Sequence, residues 1–310
     1  MRRPTVLVVL TALVTAGCAG AQGAAGDSTD PTSAFTARAR AVADAWRSTA
    51  VGGAWRTGLV PLQELTIAPA GGFPADSSKI AFQSGWYALR TELPASRPPD
   101  GTVRFPSGTM NVSLISARDA YAALDQGDPL CTVDPAKSPA PTGTAPDTPT
   151  SSPVSPDCTT LTVTAVRLGT TTLRTSRGEA TVPAWLFTVA GLGAPVARVA
   201  IVPSAMTPLP SPSVPPGPQP PGLVSAQQLT GVRGATVDFT LGVGACDKDI
   251  RPLFYETADA VVLGGTVHSD SGPCILILKL APVTVTLAAP LGARVVLDAA
   301  GGAPLTLTNR

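Results

Sequence analysis

A single histidine, His268, four lysines and five cysteines set narrow limits on the chemistry available to this 310-residue chain. Two-histidine zinc motifs are excluded, and any Ser-His-Asp machine would have to pass through His268. No Gly-x-Ser-x-Gly elbow occurs, and no serine stands three residues before a lysine, as penicillin-binding enzymes require. No glycine precedes a lysine, so a phosphate-binding P-loop is excluded. Gly191-Leu-Gly193 and Gly242-Val-Gly244 lack the third glycine of a dinucleotide fingerprint. A thiol oxidoreductase would need Cys-x-x-Cys, which is also missing. One constellation remains. If Cys246 pairs with Cys274, the bond draws Asp247 and Asp249 toward His268 and Asp270. Three carboxylates and an imidazole are a donor set for a cation, hard or transitional. The competing reading is solvated turn chemistry, because aspartate beside Gly, Ser and Pro is a normal turn residue.

Two weaker sets complete the inventory. Glu64, Glu92, Glu179 and Glu256 could supply a carboxylate pair for glycoside hydrolysis, but no spacing selects one. Trp55, Trp86, Tyr87 and Trp185 could stack on a carbohydrate or peptide. With aromatics only 5% of the chain, however, a core of this size needs most of them. The net charge of +1 gives no electrostatic footprint for nucleic acid. No cofactor is expected.

The elements that would carry these residues are mostly strands. Phe35, Ala39, Val42 and Trp46 fall on one helical face. From Trp55 to Ile115 the period switches to two, with Ile80 and Phe82, then Met110, Val112 and Leu114, reading as strands. Ser116 to Asp119 offers a capping-box start for a helix with Tyr121, Ala122 and Leu124, and Gly127 is its expected stop. Leu161–Val166, Thr170–Arg174, Thr181–Val189 and Val196–Val202 follow as four strands of a meander. Toward the C-terminus Val237, Phe239, Leu241 and Val243 alternate with polar residues. Cys274, Leu276, Leu278 and Leu280 alternate next, then Val283, Val285 and Leu287. The expected class is mainly β with a few helices (α+β) and antiparallel sheets, the C-terminal domain being a small sandwich or barrel-like unit.

Proline divides the chain. Seven of the 33 prolines lie in Pro135–Pro156 and nine in Pro203–Pro221, stretches too poor in apolar side chains to pack. The expected organisation is a signal segment 1–17, a tether 18–32, and an α+β domain 33–202 carrying a proline-rich insertion 135–157. A linker 203–222 and an all-β domain 223–310 follow.

Arg2 and Arg3, an apolar run from Val6 to Val14, and Leu13-Val-Thr-Ala-Gly-Cys18 form a secretory signal. The run is too short for a membrane span, which needs ~20 apolar residues. It resembles the lipobox of bacterial lipoproteins. That resemblance implies cleavage before Cys18 and acyl chains on that residue, which together anchor firmly where a single chain is marginal. Removing Cys18 leaves Cys131, Cys158, Cys246 and Cys274, an even set suited to disulfides in an oxidising compartment. The arginine-dominated basic set and the abundant alanine look like a high-GC bacterial genome and point to an actinobacterium, and Thr175–Phe187 and Ala289–Asp298 resemble a group of secreted actinobacterial lipoproteins of unknown function. The resemblance brings no active site. It implies an extracytoplasmic protein on the outer face of the cytoplasmic membrane. The membrane is then the partner through the lipid, and an envelope protein or cell-wall component is a further one. A non-enzymatic binding or scaffolding module leads the function classes; a carboxylate-based cell-wall hydrolase and an importer's solute-binding lipoprotein are the alternatives.

Overall fold

The computed structural model describes residues 30–48, 52–128, 159–210, 219–269, 272 and 274–308. The class is as expected, mostly β with antiparallel sheets, the C-terminal one curled into a half-barrel. Helices α1 (Pro31–Ser48) and α2 (Gly52–Thr57) come first, then strand β1 (Thr66–Ile67), helix α3 (Asp76–Ser84) and strands β2 (Tyr87–Leu89), β3 (Gly101–Phe105) and β4 (Gly108–Val112). Helix α4 (Ala117–Leu124) precedes β5 (Leu161–Thr175), β6 (Gly178–Val189) and β7 (Val196–Val199). The second sheet uses β8 (Leu223–Arg233), β9 (Thr236–Gly244), β10 (Asp247–Glu256), β11 (Ala260–Ser269), β12 (Leu278–Thr286) and β13 (Val295–Asp298).

The first sheet runs β1-β7-β6-β3-β4, with β5 on β6 and β2 parallel to β5. Its spine is the long β5–β6 hairpin, paired from Val163↔Val189 to Thr175↔Gly178. The two strands expected within 161–174 are one. Gly169 does not break it, because a Cβ there would lie 2.7 Å from Leu186 Cδ1, and the glycine serves close cross-strand approach. Ile80 and Phe82, expected in a strand, lie in α3 instead. Phe82 and Ala81 enter the core while Ile80 is exposed, and Gly85 closes the helix at φ 68°. That left-handed C-cap is the signal that outweighs a two-residue alternation. Helix α4 has the expected capping box, Ser116 Oγ accepting from the Asp119 N–H at 3.1 Å, and ends at Leu124, before Gly127.

The second sheet runs β10-β11-β8-β9-β12, with β13 parallel to β11. Leu229, Phe239, Leu241, Leu263 and Leu291 fill its interior. Helix α1, grouped with the first domain on sequence, packs against this second sheet. Phe35, Ala39, Val42, Ala43 and Trp46 lie on Leu223, Ala260, Val262, Val295, Leu297 and Ala299. An amphipathic face shows that a helix docks, but not on which surface. The chain's other end crosses the opposite way: the Leu307 N–H donates to the Leu62 carbonyl at 2.8 Å, and buried Arg174 donates to the Arg294 carbonyl at 3.3 Å. Of the expected linker, Ala205 and Met206 pack on the first core, and 211–218 lie outside the described residues. The 135–157 insertion, residues 1–29 and the pair Cys131/Cys158 lie outside them as well.

Asp298, only 5% exposed, organises the return from β13. Its carboxylate accepts the Ala226 N–H at 2.9 Å and the Gly301 N–H. Burial raises its pKa above the ordinary 3.8, and the N–H groups of Gly301, Ala226 and Ala300 offset this in part. A raised folded-state value means stability present below 3.8 and lost as pH climbs through the folded value. Glu256 has the opposite sign. Burial raises it, but the Ala288 N–H and the Arg294 guanidinium at 2.6 Å prevail and hold it low. Its contribution is present above the ordinary value and is lost on acidification. Urea midpoints across pH 3–7 for the wild type and Asp298→Asn isolate the first effect. The wild-type advantage shrinks steadily above about pH 4, the ordinary carboxyl range; a difference independent of pH would refute the assignment.

Candidate functional site

One corner of the second sheet gathers the residues that the sequence singled out. β9 ends at Gly244 and β10 begins at Asp247, with Ala245 and Cys246 as the turn between them. The Cys246–Cys274 disulfide, Cα atoms 6.1 Å apart, ties this turn to the segment that leads into β12, as the spacing anticipated. The Asp247 carboxylate spans the corner: one oxygen accepts the Gly244 N–H at 2.6 Å, the other the Ser269 hydroxyl at 2.6 Å. Both oxygens thus serve the turn. His268 stands opposite Lys248 in the β10–β11 ladder. Asp249 occupies the bulge between Lys248 and Arg251 with φ 51°, a left-handed position that aspartate tolerates. Asp247 and His268 are therefore brought to one end of the sheet as expected, but through backbone pairing. Among the described residues no group of three His, Cys, Asp or Glu side chains could hold a metal ion; Asp270 lies outside them.

Beside the disulfide runs a row of bare aliphatic side chains. Ile275 (64% exposed), Leu276 (103%), Ile277 (52%), Leu278 (67%) and Leu280 (44%) all face solvent. Ile275 and Ile277 precede β12, and for the leucines the cause is a change of parity in the sequence. Leu276, Leu278 and Leu280 occupy even positions, whereas Ala281, Val283, Val285 and Leu287 occupy odd ones. A single strand can turn only one of these sets to the core, since side chains alternate with period two. The odd set packs around Phe239 and Leu241, so the even set is turned outward. The expected half-buried strand from Cys274 is accordingly corrected: β12 begins at Leu278, and its even residues are on the solvent face. Among the described residues β12 pairs with β9 alone, and its other edge lies beside β10 without a ladder between them. Pro282, opposite Thr240 in an unbroken ladder, puts its hydrogen-free nitrogen on the side away from β9.

A second feature lies in the first unit, a cleft of about 570 Å³ lined by Glu64, Thr66, Phe82, Gln83, Gln126 and Arg198. Its size suits a small ligand. Arg198 donates to Thr66 Oγ1 at 2.9 Å, and its Nε is buried among the described residues with no hydrogen-bond partner. Burial lowers its pKa, but a guanidinium keeps its charge at any working pH. The cleft is polar and cationic on one wall, without a nucleophile–base pair.

No family model, curated protein or solved structure matches the chain. The remaining sequence candidates divide as follows. Tyr87 and Trp185 are buried in the first core and Trp86 packs on it; Trp55 meets Trp46 edge-to-face at 4.9 Å. Packing therefore takes up these aromatics. Glu256 is committed to Arg294. Cys18, Cys131 and Cys158 lie outside the described residues. The outward leucines are the feature that the sequence reading missed, and the switch from even to odd apolar positions at Leu280-Ala281 is the signal for it.

Proposed function

We propose that this protein is an extracytoplasmic lipoprotein, anchored through acyl chains on Cys18, that works in the cell envelope as a binding module. The observation that carries this reading is the disulfide-held row of exposed leucines and isoleucines. A contiguous apolar surface on a soluble fold marks an interaction site. A structural disulfide supports an oxidising compartment. The lipobox-like run ending at Cys18 supports the route and the anchor. No helix of the described residues is long and apolar enough to cross a membrane. In this reading, firm attachment depends on the lipid.

Fractionation of the native host tests it. The wild-type chain is expected to stay in the membrane fraction through repeated high-salt washes, and Cys18→Ala to be released by them. Equal distribution of the two proteins would overturn the proposal.

A further inference from the structure

We infer that the row Ile275–Leu280 is a second membrane contact, whose aliphatic side chains enter the interfacial layer of the bilayer that holds the Cys18 lipid. The inference rests on the lipid-anchor reading and names the partner of the exposed row.

The placement of α1 carries it. Arg47, at the helix C-terminus, lies 3.7 Å from Asp259, just before β11. Arg38 donates to the carbonyls of Ala299 and Ala300, and Ala299 is itself bonded to Leu263. A Cβ on Gly264 would sit 3.1 Å from the Phe35 ring. The helix therefore runs antiparallel to β11, and its start at Pro31 lies beyond Gly264, toward Ser269. That is the end where Ser269 pairs with Asp247, where the disulfide closes and where β12 begins opposite Gly244. The described chain thus begins at Asp30 on the end of the sheet that bears the apolar row. From Cys18 to Asp30 the chain advances twelve residues, a reach of at most about 40 Å. The far end of α1 is about 27 Å more distant, at 1.5 Å per residue over 18 residues. A lipid on Cys18 brings the leucine-bearing end nearest the bilayer.

The chemistry agrees with a lipid surface. The five exposed apolar side chains are aliphatic; Lys279 interrupts them and donates to the Ala245 carbonyl at 3.2 Å, and Lys248 and Arg251 are exposed on neighbouring β10, cations suited to anionic headgroups. Lys248 and Lys279 are two of the chain's four lysines. Among the described residues of this corner Asp249 is an exposed acid, and the Asp247 carboxylate is taken up by Gly244 and Ser269. A protein occupant fits less well. Strand addition along β12 would forfeit a hydrogen bond at Pro282, and the side away from β9 already lies beside β10. A strip of five side chains falls short of the ~20–30 residues per side that stable protein interfaces use.

The test uses the mature chain carrying Cys18→Ala, so that only the row can bind. Vesicles of phosphatidylglycerol and phosphatidylcholine (about 3:7) are sedimented with it. The unlipidated chain is expected to partition onto them, and Leu276→Asp with Leu278→Asp to weaken partitioning at least tenfold at unchanged melting temperature. The milder Leu276→Ser/Leu278→Ser pair is expected to lie between the two. Leu276→Trp is expected to be quenched by lipids brominated in the acyl chains. Absence of partitioning, partitioning indifferent to the aspartates, or a dimer in sedimentation that the aspartates dissolve would each overturn the inference. Because this chain has no lipid, the result is independent of whether Cys18 is acylated in the native host.

Discussion

Replacing Cys246 and Cys274 by serine is expected to cost about 3.5 kcal/mol, the largest loss from any pair of changes outside the cores. The bond spans 28 residues and restricts the unfolded chain by that amount on the loop-entropy estimate. For a protein of this size the melting temperature should fall by about 6 °C. Reducing agent should reproduce the loss in the wild type and leave the double serine variant unaffected. The loss has a local counterpart. The bond pins the turn before β10 to the segment before β12, and the leucines beside it are largely exposed. Hydrogen exchange should quicken first at Leu278–Leu280 in the reduced protein. A destabilisation below about 1 kcal/mol would mean that the corner is held by the Asp247 hydrogen bonds to Gly244 and Ser269 instead.

Phe35→Ala should be the most damaging single substitution in α1, costing about 3–5 kcal/mol in the manner of buried aromatic truncations. Phe35 is almost fully buried against Gly264 and Ala299, residues of the other end of the chain. The corollary concerns the fragment 223–310. Without α1 it exposes Leu223, Ala260, Val262, Val295, Leu297 and Ala299 together, a patch larger than isolated domains tolerate. The fragment should lack a cooperative unfolding transition, while a chain retaining residues 30–48 should keep one. A fragment that unfolds as cooperatively as the whole protein would contradict this placement of the helix. Denaturant titrations by circular dichroism decide the matter.

Much of the architecture was legible because its signals are local. The Ser116–Asp119 capping box, the alternation Val237-Phe239-Leu241-Val243 and the turn between Gly244 and Asp247 each depend on neighbours in sequence. What was not legible depends on distant partners. The apolar stripe of α1 is equally compatible with either sheet, and only the docked structure distinguishes them. Ile80 and Phe82 share the period of a strand, yet Gly85 in a left-handed cap ends a helix there. The candidate site shows the same division. The Cys246–Cys274 bond was inferred from spacing and flanking strands, but the fate of Asp247 was not, since its partners are a backbone N–H and a serine across the ladder. The exposed leucines were misjudged for a physical reason: alternation identifies two faces without saying which is inside. That choice is made downstream, by Ala281, Val283, Val285 and Leu287.

The most direct test of the whole account is the mass of the N-terminal peptide of the protein extracted from membranes of its own host. A lipid-anchored protein yields a peptide that begins at Cys18 and carries diacylglycerol on its sulfur. A peptide with an unmodified Cys18 thiol, or one that still contains residues 1–17, would contradict it.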